Sequence, residues 1–274
     1  MINLRNLQLK EMEGFIKSLG EPAFRAKQVF SWIYKGVTEF DQMTNVPKSL
    51  REKLAEQSYI GRLKMLKVQK SKTDGTRKYL YELEDGNTIE SVFMKYKYGN
   101  SICVSSQAGC RMGCKFCAST RNGLERDLTA GEILSQLMEA EADTGEKIGH
   151  IVIMGTGEPL DNYDNVVKML ELISDEKGQN MSMRHISLST CGIVPKIYDL
   201  AEKKTEYLAD LYKITLTDVM IATDVATMTF TYSIGITNLE FVICLGDDTD
   251  SVGNVIGSHK IPYSFRIEEI KNSK

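Results

Sequence analysis

Cys110, Cys114 and Cys117 constrain this chain more than any other feature. Three thiols fall within eight residues, spaced C-x3-C-x2-C. Three thiolates that close can hold three irons of a 4Fe–4S cube and leave the fourth iron open, whereas ferredoxin-type runs close the cluster with four cysteines. An open iron can take a small chelating ligand. The intervening residues suit a tight wrap: Gly113 permits unusual backbone angles, and Phe116 can cover one cluster face. The alternatives are a structural zinc site or three unrelated thiols. Zinc spacing usually comes as two C-x2-C pairs, or as one such pair with paired histidines. Here there is no second pair, and His150, His185 and His259 are far away in sequence.

The triad sits at the start of a region that alternates strand and helix. Ile102-Cys-Val-Ser reads as a strand, and the cysteine loop leaves its end. Thr129-Ala-Gly-Glu132 is a capping box opening a helix to about Asp143. His150 to Met154 is the next strand, Val166 to Ile173 a helix, and His185-Ile-Ser-Leu a third strand, with Pro195 opening a further helix. This alternation implies parallel strands with right-handed crossovers. The polar motifs stand just after strand ends, as active sites do in (β/α) barrels.

The first hundred residues differ. Leu9, Met12, Phe15, Ile16 and Leu19 fall on one helical face, stopped by Gly20. A second helix follows from about Pro22, with Phe24, Val29, Phe30, Ile33 and Tyr34 as its expected buried side. Pro47 opens a third, with Leu50 and Leu54 inward. The period then shortens. Segments 63–70, 77–83 and 88–94 read as strands, with Asp74-Gly75 and Asp85-Gly86 as hairpin turns.

The formal net charge is −3, yet residues 1–100 hold 18 Lys/Arg against 12 Asp/Glu, a net of +6 that leaves −9 for the remainder. Seven basic residues and one acid, Asp74, lie between Arg62 and Lys78. That stretch suits a phosphate backbone; a solvated lysine-rich face fits the charge equally well. No apolar run reaches the roughly 18 residues of a membrane span, and the first residues lack a basic-then-apolar signal pattern. The expectation is a cytoplasmic protein whose six cysteines serve metal or catalysis rather than disulfides.

C-x3-C-x2-C with an aromatic before the last cysteine resembles the radical S-adenosylmethionine (SAM) enzymes. The likeness narrows with three stretches: Cys103-Val-Ser-Ser-Gln-Ala-Gly-Cys110, Met154-Gly-Thr-Gly-Glu-Pro-Leu160 and Ser187-Leu-Ser-Thr-Cys-Gly192. Together they are similar to the bacterial 23S ribosomal RNA adenine-C2 methyltransferases, from near the N-terminus to about Lys204. The resemblance implies an α/β fold: a partial (β/α) barrel of radical SAM type with a small N-terminal helical and β-hairpin module. The expected division is 1–95 for that module, 96–204 for the core and 205–274 for a divergent tail.

The resemblance also implies cofactors and roles. A 4Fe–4S cluster on Cys110, Cys114 and Cys117 would bind the amino and carboxyl groups of SAM through its open iron. Gly155-Thr-Gly-Glu-Pro159 would take the amino-acid end of SAM through Gly157 and Glu158; on the residues alone it could be a plain strand-to-helix turn. Relatives usually have methionine where Thr156 stands. Ser189 would bond the ribose or carboxylate. Glu90 would accept the adenine C2 proton as a carboxylate of raised pKa, although an acid in such a strand is usually just solvent-facing. Cys103 would be the resolving thiol, although a strand thiol is most often inert packing. It would release product from a second, methylated cysteine and leave a disulfide. Cys191 stands where a serine is common and is assigned no chemistry.

After Lys204 the pattern stops. No Ser-Leu-His-Ala motif follows, nor the Ala-Cys-Gly motif that supplies the methyl-accepting cysteine, and Cys244 is the only cysteine in this region. The expected activity is adenine-C2 methylation of ribosomal RNA, with transfer RNA as a second family substrate. The expected protein is a monomer served by an electron donor such as flavodoxin. Two other readings stay open: a truncated or chimeric remnant that binds cluster, SAM or RNA without methylating, and a C8-methylating relative.

Overall fold

The structure, a computed structural model, describes residues 1–208 and four strands beyond them, at Thr227–Ile234, Thr237–Cys244, Asp248–Thr249 and Val255–Gly257. The chain opens with a short strand, β1 (Ile2–Asn3), then three helices, α1 (Leu9–Ser18), α2 (Phe24–Tyr34) and α3 (Lys48–Gln57). A two-residue strand, β2 (Ser58–Tyr59), returns to pair parallel with β1. The expected helix faces are buried at Met12, Phe15, Ile16, Val29, Phe30, Ile33, Leu50 and Leu54. Phe24 is an exception. As the first residue of α2 it has no preceding turn to pack on; it is exposed, and the Arg25 guanidinium lies 4.7 Å from its ring centre. Pro47 stands at the N-cap of α3, one position before the first turn.

Next come β3 (Lys64–Lys70), β4 (Arg77–Glu82), β5 (Thr88–Tyr96) and β6 (Gly99–Val104), an antiparallel meander. A separate hairpin follows, β7 (Gln107–Gly109) with β8 (Leu124–Asp127). Then α4 (Ala130–Thr144), β9 (His150–Ile153), α5 (Tyr163–Ser174), β10 (Ile186–Leu188) and α6 (Val194–Leu208) alternate. The four later strands, β11 to β14 in chain order, form two antiparallel pairs.

One six-stranded sheet, in the order β10-β9-β6-β5-β4-β3, holds the molecule together. β6, β9 and β10 run parallel, as the βα alternation requires, and the meander joins them through β6. The division expected between residues 95 and 96 therefore falls inside β5, within the β5–β6 ladder.

Alternation along the strands gives the sheet two unlike faces. Tyr79, Tyr81, Ile89, Phe93, Ile102, Ile151 and Ile153 are buried on one face. Helix α4 reaches that side: Gln136 accepts from Ser91 Oγ at 2.6 Å, and Asp143 accepts from Tyr79 OH at 3.0 Å. Each such large apolar side chain contributes about 1.5–3 kcal/mol on burial. The other face carries a row in strict register across all six strands: Gln69, Lys78, Val92, Cys103, Val152 and Ser187. From Val92 to Ser187 that row is only half-buried or exposed.

The N-terminal segment is fastened to α4 by a buried ion cluster. Glu139 accepts from Arg5 Nη1 at 3.1 Å and from Arg62 Nη2 at 2.8 Å, and Arg5 also donates to Ser135 Oγ at 2.8 Å. Asn6 caps the same helix, accepting from Gly131 N at 2.6 Å.

Candidate active site

The parallel strands β6, β9 and β10 all end at one edge of the sheet, and the three motifs leave from those ends. The cysteine loop, residues 110–123, is the connection of the β7–β8 hairpin, which the sequence pattern did not reveal. Cys110 N donates to Gly123 O at 2.8 Å, closing the loop's neck. Inside it Gly113 has φ +72°, the left-handed conformation expected of it. Cys110 is buried, Cys114 and Cys117 are half-buried, and Phe116 is exposed.

The three thiols lie within electrostatic reach of one another. Burial pushes the Cys110 thiol up, and Cys114, Cys117 and Glu158 raise it further. Three thiols on one short loop form a soft, all-sulfur donor set, which suits an iron–sulfur cluster. The cluster fits this loop, and a bound metal would overcome the raised thiol pKa by deprotonating its ligands.

The second motif, Gly155-Thr-Gly-Glu-Pro159, is stitched onto the residues that follow β6. Thr156 O accepts from Ser106 N at 2.9 Å and Gln107 N at 3.1 Å, and Thr156 N donates to Ser105 Oγ at 2.9 Å. Gly157 has φ +107°, and a Cβ there would stand 2.6 Å from Gln107 Cβ and 2.8 Å from Ser106 Oγ. Only glycine fits both conditions. The Ser106 hydroxyl beside it is buried without a hydrogen-bond partner.

Glu158 is 4 % exposed and already engaged. Its carboxylate accepts from Leu160 N at 2.9 Å, Thr190 Oγ1 at 2.6 Å and Cys191 N at 2.7 Å. A carboxylate offers about four lone-pair sites; these three donors and the Cys191 thiol fill them, so a ligand would have to displace one, the thiol being the weakest. The evident work of Glu158 is to bind the loop after β9 to the turn after β10. Ser189 opens that turn, its N–H donating to Ile153 O at 3.2 Å. Cys191, given no role from the sequence, lies in the site: burial raises its thiol pKa, and the Glu158 carboxylate, to which it donates, adds to the rise.

Cys103 and Glu90 lie on the open sheet face. Cys103 pairs with Val92, and Glu90 is two residues along β5 from Val92. That diagonal spacing is about 7–8 Å. Cys103 is half-buried, and burial raises its thiol pKa against the opposing hydrogen bond from the Met154 backbone. Glu90 lacks the apolar setting expected of it. Half of its side chain is in solvent, and Lys78 Nζ lies 2.7 Å from Oε1, because β4 places Lys78 on the same face. The Cys244 side chain lies outside the described residues.

Four site residues went unnoticed in the sequence: Gln107, Asp161, Asn162 and Thr190. Gln107, Asn162 and Thr190 are at most 2 % exposed. Asn162 Nδ2 donates to both Ser106 O and Leu128 O at 2.7 Å, tying α5 to the cysteine-loop hairpin. For Gln107 and Thr190 a place inside the quoted stretches was the available signal; Asp161 and Asn162 fall just after Leu160.

Comparison with known proteins agrees with this geometry. Residues 2–60 match the ribosomal RNA large subunit methyltransferase N-terminal domain, and residues 104–226 match the radical SAM superfamily. The probable dual-specificity RNA methyltransferase RlmN of Clostridium beijerinckii is 57% identical over 204 residues, covering 74% of this chain and 58% of that protein. Its counterpart in Clostridium acetobutylicum is 52% identical over 206 residues, covering 75% and 60%. The crystal structure of a radical SAM methyltransferase from Sphaerobacter thermophilus superposes with a TM-score of 0.69 at 38% identity, covering 73% of this chain and 60% of that one. The chain thus spans about three-fifths of the length of these relatives. The superfamily and these relatives imply a 4Fe–4S cluster and SAM as cofactors. Over its first three-quarters, the chain is similar to the radical SAM RNA methyltransferases.

Proposed function

We propose that this chain methylates C2 of an adenine in ribosomal RNA, with transfer RNA as a second substrate. The observation that carries the reading is the placement of Cys103 and Glu90 side by side on the open sheet face, in the same strand order that delivers the cysteine loop. Cys110, Cys114 and Cys117 would hold the cluster, which when bound supplies the electron that cleaves SAM. Gly157 brings the backbone close to the amino-acid end of SAM. Glu158 takes the ammonium in place of the Cys191 thiol that donates to it, and the Ser189 hydroxyl reaches the ribose or carboxylate. Glu90 takes the adenine C2 proton, and Lys78 holds the carboxylate over the face. The Cys103 thiolate would attack the sulfur of the methyl-accepting cysteine. The S–C bond to the bridging carbon breaks, that carbon takes a proton to become the methyl group of the base, and the two cysteines are left as a disulfide that a dithiol reductant must reopen.

Relatives named as dual-specificity RNA methyltransferases support both RNA classes. The proline at 159, after Gly157-Glu158, favours the C2 over the C8 product. An electron donor such as a flavodoxin, a monomeric state and a cytoplasmic location belong to the same reading. Among the described residues no helix is long and apolar enough to cross a membrane.

A second reading has its own support. Cys244 is the only cysteine after Cys191, and its Val242-Ile-Cys-Leu-Gly setting does not resemble an acceptor site. On that reading SAM is cleaved without methyl transfer. Reduced protein is incubated with labelled SAM and ribosomal RNA, and deoxyadenosine, methylated cysteine and C2-methyladenine are counted separately. C2-methyladenine supports the first reading, with Cys244→Ala abolishing product while iron is retained. Deoxyadenosine without either methylated species supports the second, and absence of all three refutes both.

A further inference from the structure

Gln107 is fully buried between the two loops that would meet at the cofactors. Its Oε1 accepts from Glu158 N at 2.8 Å, and its Nε2 donates to Asp127 Oδ1 at 2.8 Å and Asp161 Oδ2 at 2.9 Å. Asp161 grips Arg111, the residue after Cys110, in a two-pronged pair: Nε to Oδ2 at 2.9 Å and Nη2 to Oδ1 at 2.6 Å. Burial works against the Asp161 charge, but the Arg111 and Gln107 hydrogen bonds win and hold its pKa below the usual carboxylate range. Gln107 Cβ also forms the floor under Gly157. A primary amide is the one uncharged side chain that can both accept from a backbone N–H and donate to two carboxylates. Gln107, Asp161 and Arg111 carry none of the roles assigned above.

We propose that Gln107 is the positioning residue that locks the cysteine loop to the Gly155–Pro159 loop, acting through Asp161 and Arg111. The two loops then move as one body, so that the open iron and the amino-acid end of SAM keep a fixed separation. Such preorganisation acts on ligand affinity and geometry rather than on cluster assembly, because none of the three cysteines is altered. The inference rests on the cofactor reading but not on the RNA reading.

The test uses the full chain, reconstituted anaerobically. Gln107→Ala should keep its iron and sulfide, while the SAM concentration that half-perturbs the cluster spin-resonance signal rises about ten-fold, the equivalent of about 1.4 kcal/mol. Arg111→Gln, at an exposed side chain that cannot unmake the core, should shift it in the same direction by a few-fold. Arg111→Lys keeps the charge but loses the planar fork. It should resemble Arg111→Gln if geometry is what matters. Combining Gln107→Ala with Asp161→Asn should cost less than the sum of the two, as members of one network do. If Gln107→Ala does not fold, the two Arg111 variants decide. Wild-type SAM response in Arg111→Gln, or full recovery in Arg111→Lys, overturns the clamp, as does additivity of the double variant. Loss of iron in wild-type protein would instead sink the cofactor reading itself.

Discussion

The two ends of this sheet are built on opposite plans. At the edge where β6, β9 and β10 finish, buried polar side chains stitch backbone to backbone: Gln107, Glu158, Asn162 and Thr190 are each hydrogen-bonded two or three times with little exposure to water. At the far side edge, β3 is exposed along nearly its whole length, and its lysines reach into solvent. Lys64 pairs with Glu82 and Lys78 with Glu90, both at the surface, where such pairs contribute about 0–1 kcal/mol. The first plan ties the loops after β6, β9 and β10 to one another. The second keeps an edge strand from pairing with other chains and leaves a basic edge whose contact with RNA can be tested.

This contrast can be broken most severely at the cysteines. Cys110→Ala, Cys114→Ala and Cys117→Ala should each lose the cluster, read as iron and sulfide falling from about four per chain to near zero. A single variant that retains a full complement would remove that thiol from the ligand set. Gly157→Ala comes next. The new methyl would meet Gln107 and Ser106 at 2.6–2.8 Å in a left-handed backbone. It should destabilise the fold by about 1–3 kcal/mol in chemical denaturation and remove the SAM response. Unchanged stability would mean that the loop is not stitched down.

The opposite edge should respond in the opposite way. Charge reversal at Lys67, Lys70 and Lys72 should change stability by less than about 0.5 kcal/mol. It should weaken RNA binding and lower the log–log salt slope by about 0.7 for each single-strand phosphate that is no longer neutralised. Register refines this expectation: Lys67 shares the open face with Glu90, whereas Lys70 pairs with Arg77 on the other face, near Asp143. Lys67→Glu alone should therefore account for more of the weakening than Lys70→Glu. Equal RNA affinity before and after the triple change would remove this edge from the interface.

A further expectation concerns pH. Burial raises the Cys103 thiol pKa, and attack requires the thiolate. Below that raised value the thiolate fraction grows about tenfold per pH unit. Single-turnover product release should therefore quicken as pH rises from about 7 to about 9, and a flat profile would take Cys103 out of that step.

Helices α1 to α6 and strands β3 to β6, β9 and β10 were legible because their apolar periods are clean: 3.6 in α1 and α5, two in β4 and β5. The cysteine loop was legible because its residue types are specialised, whereas the Gly155–Pro159 loop was singled out only through the family resemblance. The β7–β8 hairpin was not legible, since three- and four-residue strands carry too few positions to show a period. Nor was the setting of Glu90, because cross-strand register, invisible in one chain's sequence, sets Lys78 beside it. Gln107 and Asp161 are ordinary residues in sequence and become a hub only when the loops after β6 and β9 meet.

The central claim, that the loop between β7 and β8 holds a cluster open to SAM, is tested most directly by spin resonance on the reduced, anaerobically reconstituted chain. The account predicts about four irons and four sulfides per chain and a signal that changes when SAM is added. Zinc without iron after such reconstitution, or an iron signal indifferent to saturating SAM, would contradict it.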